Sequence, residues 1–91
     1  MDERTQRLYR TVGLDSFIKY YFVFKYYPQE KCISAFVEDY KPNSKVAKTS
    51  AAKTIFKEGK HIDVLKYIRD EAARVDPILK QQAAWYLNLE E

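Results

Sequence analysis

An all-α fold, a compact bundle of five or six short helices, is what this sequence predicts. Three observations carry that expectation. The stretch Phe17–Tyr27 holds seven of the fourteen aromatic residues and only two charges, Lys19 and Lys25. Plotted at 100° per residue its apolar side chains occupy every side of a helix, the mark of a segment buried on most sides. Only two Gly and three Pro occur in 91 residues, too few turn formers for a sandwich or barrel. Helical apolar spacing recurs through the rest of the chain, bounded by cap and stop residues.

The length predicts a single helical domain over 1–91, with enough chain for one modest core. A helix over 3–12 follows from the spacing of Leu8, Tyr9 and Val12, with Gly13 as its stop. Asp15 is placed to cap the aromatic helix, 15–27, which Pro28 ends because it disfavours helical geometry in the residue before it. The competing reading of 17–40 is a β-hairpin turning at 28–31, since aromatic and β-branched residues suit a pleated sheet. A lone hairpin is marginal, however, and nothing beyond residue 40 resembles a third strand. Pro28 opens a third helix, 28–38, with Ile33, Phe36 and Val37 inward and Cys32 beside them. Asn43 or Ser44 caps a fourth, 44–58, stopped by Gly59, with Ala47, Ala51, Ala52, Ile55 and Phe56 expected inward. A fifth spans 61–73. Asp76-Pro77 starts a sixth over 77–89, apolar on more than one side.

Charge is unevenly placed. Residues 41–60 carry six lysines against Glu58 alone, net +5, while 1–40 are neutral and 61–91 are net −2. The leading functional expectation follows: a small non-enzymatic protein binding DNA with the lysine-rich helix 44–58, in a helix-turn-helix-like arrangement with 28–38. Lys45, Lys48, Lys53 and Lys57 would neutralise phosphates, and Thr49 and Ser50 would lie near bases. The absence of arginine on this helix points to affinity more than sequence readout. The alternative is a protein–protein interaction module, a small inhibitor or adaptor, with a homodimer as a further option. It would act through Tyr20, Tyr26, Tyr27, Trp85 and Tyr86, because tyrosine and tryptophan favour interfaces.

Other chemistry finds little support. One histidine (His61) and one cysteine (Cys32) cannot close a zinc site, and no glycine-rich loop cradles a phosphate. No catalytic residue, metal or cofactor is assigned. The single cysteine fits a reducing compartment, the charged start (Asp2, Glu3, Arg4) lacks the apolar run of a signal peptide, and the longest nearly apolar run is too short to cross a membrane. A cytoplasmic location is expected.

Two local resemblances complete the reading. Ala51-Ala52, Phe56, Gly59, Val64-Leu65, Ile68, Ala72 and Pro77 are similar to one tetratricopeptide unit, two antiparallel helices with small residues where they cross. The expected tryptophan is Lys48 and no second repeat follows, so a generic helical hairpin about Gly59 is the expectation. Ser44, Ala47, Ile55-Phe56, Val64 and Tyr67-Ile68 fall in the order seen in small subunits of phage terminases, whose upstream Gly-Tyr element is missing. Neither resemblance is taken as membership.

Overall fold

A computed structural model describes residues 1–72 and 75–90. Among them are seven helices and no strand: α1 (Glu3–Val12), α2 (Ser16–Lys19), α3 (Tyr21–Tyr26), α4 (Gln29–Ala35), α5 (Pro42–Lys57), α6 (His61–Asp70) and α7 (Pro77–Glu90). The all-α expectation holds, and the hairpin reading of 17–40 is excluded.

The aromatic stretch is the hub. Phe17, Ile18, Tyr21 and Phe24 are all at most 1% exposed. Phe17 sits edge-on to Tyr9 and Tyr21 and stacks on Phe56. Around this hub α1 packs along α5, and α6 packs along α7. The stretch is not one helix, though. At Tyr20 the backbone leaves helical geometry (φ −112°, ψ 25°), ending α2 and opening α3. The Tyr20 hydroxyl accepts the Val37 N–H at 3.0 Å and donates to Glu38, while its ring meets Phe36. These tertiary contacts hold Tyr20 at the junction.

The same contacts shorten the next helix. Because Tyr20 satisfies the Val37 N–H, α4 stops at Ala35 instead of running to residue 38. Phe36 turns in, as expected, but Val37 is 78% exposed, contrary to the expected apolar face.

Helix starts follow local chemistry in part. Asp2 caps α1 by accepting from the Thr5 N–H at 2.7 Å. Asp76 accepts from the Ile78 N–H at 2.8 Å, as its Asp-Pro signal predicts. Asp15 makes no capping bond. Helix α5 begins two residues before its expected start, with Pro42 in its first turn, where the missing N–H leaves no intrahelical bond unmade. Helix α6 ends at Asp70 instead of 73, and Ala73 lies outside the described residues.

Gly59 ends α5 as predicted, with φ +70°. The helices on either side of it do not pair as an antiparallel hairpin: α5 lies on α1, α3 and α4, while α6 lies on α7 and α1. The generic helical hairpin expected about Gly59 is therefore not formed. Gly13 has φ +109°, and a Cβ there would stand 3.2 Å from the Lys48 Nζ, whereas one at Gly59 meets nothing within 4 Å. Gly13→Ala should therefore cost about 1–3 kcal/mol of unfolding free energy, and more than Gly59→Ala. Urea melts of the two variants compare them directly. Equal losses would show that the crowding at Gly13 is immaterial.

Candidate functional site

Helix α5 carries the residues expected to meet DNA, and the fold divides them. Lys48 donates from Nζ to the Val12 carbonyl at 3.0 Å and lies 4.6 Å from the centre of the Tyr40 ring. Lys53 donates from Nζ to the Tyr27 carbonyl. Both ammonium groups thus sit at the C-terminal ends of neighbouring helices, α1 and α3, where free carbonyls and the helix dipole favour a cation. Their local task is to tie α5 to its supports. Thr49 is 0% exposed, with its hydroxyl buried and no hydrogen-bond partner among the described residues. It is not placed near a base, which corrects the expectation. Ser50 is exposed and accepts from the Gln29 amide at 3.2 Å. Lys45 is half-buried, Lys57 is exposed, and neither has a partner among the described residues. The inward direction of α5 is rotated toward Thr49 because α1 covers one flank and α3 with α4 the other. Ala47, expected inside, is consequently exposed.

The aromatic candidates divide too. Tyr20 is 7% exposed and engaged at the α2–α3 junction, so it offers no surface. Tyr86 is half-buried and stacks on Tyr21, with ring centres 4.6 Å apart. Tyr26, Tyr27 and Trp85 are 68%, 54% and 56% exposed. Tyr27 borders a shallow apolar groove with Val23, Lys31 and Ala35. Tyr26 and Trp85 terminate a continuous row of rings across α3 and α7. Tyr26 stacks on Phe22 at 6.0 Å, Phe22 meets Tyr86 edge-on at 5.0 Å, and Tyr86 meets Trp85 at 5.5 Å. Phe22, which joins the two helices' rings, was not among the predicted site residues. Nothing in the sequence spacing links residue 22 to residue 86.

An ionic cluster seats the end of α7 beside this row. The Glu90 carboxylate accepts from Lys25 Nζ, and its second oxygen lies 3.5 Å from His61 Nε2. The side chains of Glu90, His61 and Lys25 are only 12%, 19% and 25% exposed. Burial alone would raise the Glu90 pKa, but the bond from Lys25, the Lys25 charge, Tyr21 and His61 together hold it below the usual carboxylate value. The Tyr21 hydroxyl is buried near Glu90 without a hydrogen bond of good geometry. Burial first, then the Glu90 charge, pushes its pKa well up. His61 also stacks on Phe56 at 4.9 Å, and its Nδ1 is buried without a partner. Histidine here is packed into the join between three elements.

Cys32 donates from Sγ to the Val23 carbonyl at 3.2 Å, and burial pushes its thiol pKa up. A buried thiol of raised pKa is a poor nucleophile. Among the described residues no group of three or more His, Cys, Asp or Glu side chains is arranged to hold a metal ion, and no helix is long and apolar enough to cross a membrane.

No protein-family model, curated protein or solved structure matches this chain. Its surface is therefore the ground for a functional reading.

Proposed function

We propose that the protein is a non-enzymatic protein–protein interaction module whose working surface is the aromatic face of α3 and α7. One observation carries this reading: the unbroken row Tyr26–Phe22–Tyr86–Trp85, open to solvent at both ends. Large rings with amphipathic tips supply much contact area at low entropic cost, which is why they concentrate in interface centres. The charges next to the row, Lys25 and Glu90, neutralise each other, so its edge presents little net charge. A partner for such a face is itself apolar and weakly charged.

DNA binding through the basic helix is the second reading. It retains Lys45 and Lys57, which have no partner among the described residues, and loses the free use of Lys48 and Lys53 to helix ends. Two lysines would neutralise few phosphates and give weak affinity with a shallow salt dependence.

Site-specific photocrosslinking separates the two. A benzoylphenylalanine is placed in turn at Tyr26, Trp85, Lys57 and, as an exposed apolar control off the face, Val37. Protein adducts from positions 26 and 85, with none from 37, are the expected result. Nucleic-acid adducts from position 57, with no protein adducts from 26 or 85, would overturn the proposal in favour of the basic helix.

A further inference from the structure

The outward face of α7 has an order of its own. Ile78, Trp85 and Leu89 are 64%, 56% and 54% exposed, and Gln82 between them is exposed as well. Their spacing of four, three and four residues is that of a two-helix seam, in which apolar side chains recur every three or four positions on one stripe. Such a stripe normally faces a neighbouring helix. Here α7 already packs on α6 through a different stripe, with Ala83 and Leu87 buried, so among the described residues the 78–89 stripe is a second, unpartnered face.

Charge singles this face out. Almost a third of the chain is charged (32%), yet Ile78, Gln81, Gln82, Trp85, Asn88 and Leu89, all exposed, include no charged residue. The helix carries only Lys80 and Glu90, both off the stripe, and Glu90 is held by Lys25. Depletion of charge is the compositional mark of an interface core.

From these observations we infer that the stripe Ile78–Gln82–Trp85–Leu89 pairs with the same stripe of a second copy of the chain. This rests on the interaction reading above and names the partner. A two-fold interface sets a patch against itself, so any unbalanced charge would meet its like; a neutral patch avoids that penalty. The spacing is also palindromic. With two copies of α7 antiparallel, Ile78 meets Leu89 of the other copy and Gln82 meets its Trp85, so all four positions find a counterpart. The bulky indole then faces a flexible glutamine instead of a second indole. The ring row ending at Tyr26 adjoins the seam through Tyr86 and Phe22 and widens its rim.

The area sets the expected strength. The three apolar side chains leave roughly 350 Å² open, within the range of functional patches on small proteins. Two such faces with their rims fall below the size of a standard stable interface, in the size class of weak, reversible association.

Sedimentation equilibrium of the full chain over about 5–500 µM tests this. The weight-average mass should climb from 10.8 kDa toward twice that value. Leu89→Lys should hold the mass at the monomer value across the range with unchanged far-ultraviolet dichroism. Ile78→Lys, at the more exposed opposite end of the stripe, should do the same and covers the case in which the first variant misfolds. A wild-type chain still monomeric at the highest concentration would overturn the second-copy assignment. So would a dimer indifferent to both substitutions. The crosslinking described above then tells the two readings apart. Adducts of another mass from Trp85 would keep the interaction face without self-pairing, and no adduct from Trp85 or Tyr26 would sink both.

Discussion

Phe17→Ala should lower the urea midpoint by roughly 3–5 M, because truncating a buried phenylalanine costs about 3–5 kcal/mol and a chain this size loses about 1 kcal/mol per molar urea. Phe17 is 0% exposed and touches rings from three elements: Tyr9 of α1, Tyr21 of α3 and Phe56 of α5. No neighbour can fill the space alone, since each of those rings has partners elsewhere. Tyr9 also meets Tyr67 and Tyr21 also stacks on Tyr86. Against a total stability of about 5–15 kcal/mol, the loss removes a large fraction of the folded margin. Phe17→Leu keeps most of the volume and should cost less than half as much. Chemical denaturation followed by far-ultraviolet dichroism measures both. An Ala variant within 1 kcal/mol of the parent would mean that the aromatic stretch is not the centre of the core.

The second large effect concerns Glu90. Its carboxylate, at the end of α7, is shared by Lys25 of α3 and His61 of α6. Glu90→Gln keeps the shape and removes the charge, leaving a largely buried Lys25 without its counter-ion. The expected loss is about 1–3 kcal/mol, less than for a fully buried pair because Lys25 retains some contact with water. The pH dependence has a definite sign. A carboxyl whose folded pKa lies below its unfolded value stabilises the fold above the unfolded pKa, near 4.5, and that contribution disappears as pH falls through the folded value. The gap between wild type and Glu90→Gln should therefore be full at neutral pH and close progressively below about pH 4.5. Denaturation curves at pH 7, 5, 4 and 3 measure it. A gap constant with pH would show that Glu90 acts by packing and not by charge. Loosening this cluster should also free the last turn of α7, which carries Leu89, so hydrogen exchange there is a second readout.

Much of the fold was legible in the residues. The boundaries of α1 and the Asp76-Pro77 start of α7 follow from local chemistry that needs no tertiary partner: a cap, a stop glycine, a proline in the first turn. The centrality of Phe17–Tyr27 was also legible, since rings on every side of a helix have to be enclosed. The break at Tyr20 was not. It depends on a hydroxyl bonded to Val37 and Glu38, residues 17 and 18 positions away, and no local signal reports a bond of that range. The early end of α4 has the same cause.

Of the candidate site, the residues pointed to Tyr20, Tyr26, Tyr27, Trp85 and Tyr86 as a surface, of which Tyr20 is buried and Tyr86 half-buried, and the arrangement of the exposed three was not legible. Phe22 and Tyr86 join α3 to α7 only because α2, α3 and α7 pack together. On the basic helix, charge counting located the lysines and could not foresee that two of them reach back to the carbonyls that end α1 and α3. A 100° plot gives angles around an axis without saying which direction is inward, and neighbours on both flanks turned Thr49 to the inside.

By itself, then, the sequence determined that this chain is helical, where most helices begin and which aromatic segment must be enclosed. Caps, prolines, glycines and apolar periodicity act within a few residues of themselves. Only the tertiary structure decided which lysines are free, which tyrosines reach solvent and that α7 keeps a second apolar stripe uncovered. Exposure is a relation between a side chain and whatever packs beside it, and that neighbour is chosen by the whole chain.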